Sequence, residues 1–324
     1  MKPLLVFDGN NIFHRNYHVV KNHGDVTEAV DMACAQSLLD FKYYFNKIKP
    51  FMTFIAFDSK SNWRRDYTRN TEICHTNKIY KDNRRQKRTK KESEAKRLLD
   101  ETIAEVANFF HQNTKIITLL EEGLEADDMA AGVCRLFGDT EYDIKLVSSD
   151  KDYLQFFRYP NVEIINPLAD GKIRNLEDWN NDPELMLFEK FIRGDSKDNV
   201  RSAYPRIRKT KILEAYYDDF AKSNILNHTF IEKIYDEATD EYIDREFETG
   251  KLFEENRMLL DLNAQPEHIR EKIDNAVERE LLRKRKVNFV KFLQFVKQRE
   301  MNNILSRAQV FLPLLKNQNI SNSD

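Results

Sequence analysis

The 324-residue chain is poor in glycine, with eight, and in cysteine, with three. Cys34, Cys74 and Cys134 are odd in number and far apart, and no Cys-x-x-Cys spacing occurs. That excludes a disulfide framework and a zinc knuckle, and points to reduced thiols in a cytosolic protein. Neither GxGxxG nor a P-loop consensus is present, which removes two common glycine-built phosphate cradles. Long apolar runs are also missing. The opening MKPLLVFDGNN is too short in apolar residues for a signal peptide. With no segment fit to span a bilayer, a cytoplasmic location without membrane contact is expected. Nor is there an excess of one charge: 52 basic residues face 54 acidic ones, a formal net charge of −2. Such an average can hide segregated charge.

What is present is a core-forming composition, 41% hydrophobic, in strand-like and helix-like pieces. LLVF (4–7), MTFIAF (52–57), IITLL (116–120), IKLV (144–147) and VEIIN (162–166) read as strands. Helical spacing begins at Thr27, at Glu92 and in DDMAAGVCRLF, and alternates with the strands. The pattern predicts an α/β fold, a mostly parallel central sheet with helices on both faces. After about residue 185 helical patterns dominate, including ELMLFEKFI, KTKILEAYYDDF, the stretch Thr229 to Leu262 and NFVKFLQFVKQREMNNIL. The expected division is an α/β core over 1–185 and a helical C-terminal region over 186–324.

The acids recur at strand ends. Asp8 and Asp58 follow the first two strands, Glu125, Asp127 and Asp128 follow the third, and Asp150 and Asp152 follow the fourth. In an open parallel sheet these ends share one edge, where ligands bind. Extended residues two apart, such as Asp150 and Asp152, share a face. GDSKDN adds Asp195 and Asp198, on one face if helical. Like charges about 4 Å apart repel by roughly 4 kcal/mol at an effective dielectric of about 20. Such a cluster therefore either protonates or holds cations. The donors are all oxygens, which suits Mg²⁺ or Mn²⁺ and not zinc, and their number suits two ions, an arrangement used in phosphodiester hydrolysis. Any one of these acids could be only a helix N-cap. It is their recurrence in five segments that argues for more.

Basic residues are segregated in YKDNRRQKRTKKESEAKR (80–97), preceded by WRRDYTR (63–69). Lysine and arginine at this density suit phosphate backbones, and Trp63, Tyr67 and Tyr80 could stack on bases. A charge run is ordinarily a solvated surface, but this one lies between two strand-end acids. RELLRKRK (279–286) is a weaker patch and reads as a solvated helix.

FDGNN, FDSKSNWRRDY, YKDNR, LEADDMAA, SSDKDYLQF and GDSKDNV occur in one order over roughly residues 4–220. In this the chain resembles the 5′-nuclease superfamily of flap endonucleases and 5′→3′ exonucleases, nearest to the T-even phage ribonuclease H type. The resemblance implies that Asp8, Asp58 and Glu125 hold one metal ion and Asp150, Asp152 and Asp195 a second. Asp127 would lie between them, with Asp128 and Asp198 as additional acids. It places Lys81 and Arg84 at the scissile phosphate, with Asp150 at the centre of the chemistry. It makes the run around 70–100 a helical arch for a 5′ single strand, with Arg64, Arg65, Tyr80, Arg85, Lys87 and Arg88 as nucleic-acid contacts. It also implies a helix-hairpin-helix-like DNA-binding element. There VRSAYPRIRKTKILEAY lacks the family's glycines, so Arg206, Arg208, Lys209 and Lys211 would carry duplex binding and no potassium site is expected.

The implied activity is metal-dependent cleavage at 5′ ends of DNA flaps, nicks or RNA–DNA primers in replication, by a monomer. A single-strand-binding protein or sliding clamp is an implied partner. A PIN-type ribonuclease would lack the arch and the GDSKDN region, and an idle branched-DNA binder would need a broken acid set.

Overall fold

A computed structural model describes residues 1–84, 89–169, 171–236 and 239–317. In chain order the first elements are β1 (Lys2–Asp8), α1 (Gly9–Val20), α2 (Val26–Ile48), β2 (Met52–Ala56), α3 (Trp63–Arg69) and α4 (Lys90–Asn113). Next come β3 (Ile117–Leu119), α5 (Ala126–Phe137), β4 (Tyr142–Val147), β5 (Val162–Asn166), β6 (Lys172–Ile173) and α6 (Pro183–Arg193). Then follow α7 (Lys209–Tyr217), α8 (Asp219–Leu226), β7 (Thr229–Asp236), β8 (Glu241–Glu248) and α9 (Thr249–Leu260). The last are α10 (Glu267–Leu282), α11 (Phe289–Gln298), α12 (Asn302–Leu305) and α13 (Leu312–Leu315). No helix among the described residues is long and apolar enough to cross a membrane.

The chain divides into two compact units. The first comprises Met1–Ser61 and the described parts of Arg88–Asn175 and His268–Asp324. Its sheet runs β3-β2-β1-β4-β5-β6, parallel except for β6. β1 is central, pairing Leu4 with Met52 on one side and with Ile144 on the other. Leu4 through Phe7 are wholly buried, as expected of an apolar strand covered on both faces. Leu5, Phe7, Ile55 and Val147 belong to the core shared with α1, α2, α4 and the C-terminal helices. α5 packs against β1, β2 and β4 and supplies the second layer. Helix starts are capped locally: Asp25 accepts from the Glu28 amide at 2.9 Å, and Thr89 and Glu92 form a reciprocal capping box at α4.

The second unit comprises the described parts of Asn62–Lys87 and Leu176–Glu267. Here α6 packs against α7 and α9. The α/β architecture and a helical C-terminal region are thus as expected, but three local expectations change. The division is not at residue 185. The chain from His268 on returns to the first unit, because Phe292, Phe295 and Phe311 join its core, with Phe295 stacked 4.8 Å from Phe109. The stretch from Thr229 opens with an antiparallel hairpin, β7 against β8, and not a helix. Its Phe, Ile and Tyr content favours strands over the helical signal of its Glu and Lys. KTKILEAYYDDF is two helices, because Asp218 ends α7 and caps α8 by accepting from the Ala221 amide at 2.7 Å.

Candidate active site

In the first unit the C-terminal ends of β1, β2, β3 and β4 deliver six acids to one edge: Asp8, Asp58, Glu125, Asp127, Asp150 and Asp152. The strand order reverses direction at β1, so Asp8 and Asp150 flank the topological switch point between β1 and β4. Asp8 closes β1 and caps α1, its Oδ1 accepting from the Asn11 amide at 3.0 Å. Its Oδ2 accepts from the Ser148 hydroxyl at 2.9 Å. Gly9 must lack a side chain, since a Cβ there would lie 2.7 Å from the Ala56 carbonyl oxygen. Asp58 Oδ1 accepts from the Ala126 amide at 2.8 Å, tying the β2 end to the start of α5. Asp127 Oδ1 accepts from the Asp128 amide at 2.7 Å, and Asp150 Oδ1 from the Asp152 amide at 3.0 Å.

Electrostatics confirms that these groups feel one another. Burial, with added repulsion from Asp58 and Asp150, raises the Asp8 carboxyl to about 7 against hydrogen bonds from Asn11 and Ser148. Tyr153 is 1% exposed, and its acidity is suppressed first by burial and then by Asp8, Asp127, Asp150 and Asp58. An all-oxygen donor set in which the Asp8 carboxyl is pushed up to about 7 fits a hard divalent cation in kind. Yet among the described residues no three acids close on a point as a bound metal ion requires. Asp8, Asp58, Asp127 and Asp150 each accept from a nearby backbone amide instead.

The Tyr153 hydroxyl is buried without a hydrogen-bond partner among the described residues. A buried unpaired hydroxyl is a stability cost of about 1–3 kcal/mol. Tyr153→Phe is therefore expected to leave the melting temperature of the cation-free protein unchanged or raised, by calorimetry. A clear drop would mean that the hydroxyl has a stabilising partner.

Not every predicted acid belongs to this edge group. Asp128 is fully buried and serves α5, its Oδ2 accepting from the Glu125 amide at 3.0 Å. Asp195 and Asp198 lie in the second unit, in a turn closed by an Asp195–Val200 bridge and not in a helix. Gly194 permits that turn at φ +67, where a Cβ would strike the Arg201 carbonyl oxygen at 2.4 Å. Asp195 Oδ1 accepts from the Lys197 amide at 2.8 Å. Asp198 accepts from the Tyr80 hydroxyl at 2.8 Å, pairs with Arg84 and sits 3.6 Å from Lys81 Nζ. Burial pushes its carboxyl up, but Lys81, Arg84, Tyr80 and Lys190 outweigh that and hold it below its ordinary value. Asp198 thus places Lys81 and Arg84 and offsets part of their charge.

Several expected nucleic-acid contacts are structural. Arg64 is 1% exposed, its Nε donating to the Leu259 carbonyl at 2.8 Å and its guanidinium 4.7 Å from the Trp63 ring. Tyr80 is 3% exposed and Trp63 is buried, so neither ring is offered to a base. Tyr67 donates to Glu255 at 3.0 Å, and Arg65 pairs with Asp82 at 2.5 Å. Trp63, Arg64 and Tyr80 are thus core residues, and Arg65 and Tyr67 are half-buried beside them. Arg85, Lys87 and Arg88, the centre of the expected arch, lie outside the described residues. Arg206, Arg208, Lys209 and Lys211 are exposed. Of the patch at 279–286, only Arg279 to Leu282 lies in α10. Arg285 is buried against Glu280 at 2.7 Å, so that patch is not simply a solvated helix.

Sequence reasoning missed the residues that tie the strand ends together. Asn10 Oδ1 accepts from the Asp58 amide at 3.0 Å, and Asn11 Oδ1 accepts from the Ser149 amide at 3.0 Å. The paired asparagines after Asp8 were a visible signal. Arg174, which donates to the Ser149 carbonyl and interacts with Asp150, left none.

Residues 3–186, more than half of the chain, match the model of the 5′-3′ exonuclease, N-terminal resolvase-like domain. The chain is 27% identical over 165 residues to a ribonuclease H of Enterobacteria phage T4, covering 47% of each protein. It is 26% identical over 208 residues to a 5′-3′ exonuclease of Aquifex aeolicus (strain VF5), covering 62% of this chain and 64% of that one. Both matches span less than two thirds of those relatives' length. A bacteriophage T5 flap endonuclease, solved as a pseudo-enzyme-product complex with DNA and metal ions, superposes with a TM-score of 0.58. At 18% identity over 86% of this chain and 99% of that one, the likeness is one of fold. Fold, strand-end acids and family match agree, and the chain belongs to the family of the 5′-3′ exonuclease N-terminal resolvase-like domain.

Proposed function

We propose that this chain is a metal-dependent 5′ nuclease, hydrolysing phosphodiester bonds at the 5′ ends of DNA flaps, nicks or RNA–DNA primers. The observation that carries this reading is the convergence of acids from four strand ends on the switch-point edge, with Asp8 driven to about 7 by burial and its neighbours. Asp8, Asp58, Glu125, Asp127, Asp150 and Asp152 would hold divalent cations, Mg²⁺ or Mn²⁺, two by the resemblance. What such cations supply is positive charge beside the phosphate and a more acidic water. The names of the relatives support nucleic acid as substrate: one is a ribonuclease H and another a flap endonuclease solved with DNA and metal ions.

The chain's own residues have separate tasks. Asn10, Asn11 and Ser148 fix the backbone and carboxylates at the strand ends. Lys81 and Arg84, held by Asp198, would bind phosphate oxygens and stabilise charge developing on them. A 5′-labelled flap tests the reading: short labelled products are expected with Mg²⁺. Cleavage that ignores blocking of the 5′ end would argue against a 5′ nuclease.

Duplex binding falls to Arg206, Arg208, Lys209 and Lys211. Arg206 sits at φ +59, the left-handed region that favours glycine. Keeping an arginine in that conformation sacrifices stability at a position where its charge is useful. Arg206→Gly is expected to act in opposite directions. It should stabilise the fold by up to about 1 kcal/mol. It should also weaken duplex binding and reduce the salt slope by about 1. A salt slope equal to the wild type's would remove Arg206 from the interface.

A further inference from the structure

The β7–β8 hairpin of the second unit is strongly acidic. Between Thr229 and Glu248 there are eight acids and two bases, a net charge of −6 where the whole chain has −2. Among the described residues the two strands pair only with each other. Its base is well anchored. Phe230 faces Phe247 across the pair, with rings stacked 5.5 Å apart, and Phe247 is 3% exposed. The Arg201 guanidinium lies 4.3 Å over Phe247 and pairs with Glu232. His228 stacks on Tyr204 at 4.5 Å.

The other face is different. Side chains alternate along a strand, so Ile231, Lys233 and Tyr235 share a face with their partners Glu246, Asp244 and Tyr242. Ile231, Tyr235 and Tyr242 are 68%, 50% and 71% exposed. Tyr235 and Tyr242 lie directly opposite, with ring centroids 5.5 Å apart. The face thus presents the Tyr235–Tyr242 pair, then the charged Lys233–Asp244 pair, then Ile231 opposite Glu246, on a two-stranded sheet whose outer edges still carry main-chain hydrogen-bonding groups. Tyrosine with an aliphatic neighbour inside a charged rim is the make-up of a protein–protein contact centre.

Charge identifies the occupant. Phosphate backbones and anionic lipid surfaces are repelled by a lobe of this sign, and so is the same hairpin of a second copy. What complements it is a cation-rich polypeptide that also brings apolar side chains. We infer that the outward face of the β7–β8 hairpin docks a lysine- or arginine-rich segment of another protein, with apolar residues covering Ile231, Tyr235 and Tyr242. An extended segment gains main-chain bonds at a strand edge as well.

The test uses the full chain and three fluorescent peptides of equal length: one alternating lysine with isoleucine, its glutamate-for-lysine counterpart, and oligolysine. Fluorescence anisotropy should give saturable binding of the first, at least tenfold tighter than oligolysine, and none of the second. Tyr235→Ser/Tyr242→Ser leaves the charge intact and should weaken the first peptide at least tenfold. Asp244→Lys/Glu246→Lys should do so too, with an unchanged circular dichroism spectrum for whichever variant is scored. Oligolysine binding as tightly, or the tyrosine variant binding as the wild type does, would reduce the hairpin to a nonspecific acidic surface. Loss of flap-DNA affinity in the tyrosine variant would assign the face to nucleic acid. Either result overturns the inference, and neither depends on whether the acid edge cleaves DNA.

Discussion

Asp8→Asn is expected to abolish Mg²⁺-dependent cleavage, by about a thousandfold or more, while making the cation-free protein more stable at pH 8. The two effects share one cause. Asp8 is 7% exposed, and its carboxyl is raised from 3.8 to about 7 by burial and by Asp58 and Asp150. The folded state thus holds this proton more tightly than the unfolded chain. The corresponding stability is fully present below about pH 4 and is lost as pH rises through about 7. Three pK units would be about 4 kcal/mol, so a gain on the order of 2–4 kcal/mol is expected from a side chain that cannot ionise. Asparagine retains an oxygen for the Asn11 amide, so the cap on α1 survives. Denaturant unfolding in EDTA at pH 5 and pH 8 measures this. The wild type should lose stability between the two pH values and recover it with Mg²⁺, and the variant should do neither. A variant less stable than the wild type at pH 8 would show that Asp8 is paired and not repelled.

Arg64→Ala is expected to cost the second unit about 3–4 kcal/mol and to leave any effect on DNA binding secondary to that loss. The guanidinium is buried between the rings of Trp63 and Tyr80, and its Nε donates to the Leu259 carbonyl. Truncation empties a large site and strands that acceptor. Because the chain has two compact units, the change should appear as an earlier, separate transition in a calorimetric scan. A phosphate contact would behave in the reverse way, with an unchanged scan and a flatter salt dependence of DNA binding.

Arg64 also marks where the sequence could be read and where it could not. Strand-end acids were legible because a parallel sheet fixes its C-terminal edge wherever the apolar runs end. One strand end sets the geometry for Asp8, and the same rule places Asp58 and Asp150. Which basic residues face solvent is decided by tertiary burial, and WRRDYTR carries the same residues whether it lines a groove or a core. Glu125 and Asp128 show the same limit: both follow β3 and cap α5 reciprocally, but Asp128 is wholly buried. The β7–β8 hairpin was hidden by helix-favouring Glu and Lys, and the return of residues 268–317 to the first unit depends on long-range aromatic packing that no local pattern encodes.

The most direct test of the central claim compares the wild type with Asp150→Asn on a 5′-labelled flap, each with Mg²⁺ and with EDTA. The expected result is short 5′ products from the wild type with Mg²⁺ alone, and none from the variant although it still binds the flap. Tight binding without cleavage by the wild type, or equal cleavage by Asp150→Asn, would contradict the account and leave the acid edge as an electrostatic feature of a DNA-binding protein.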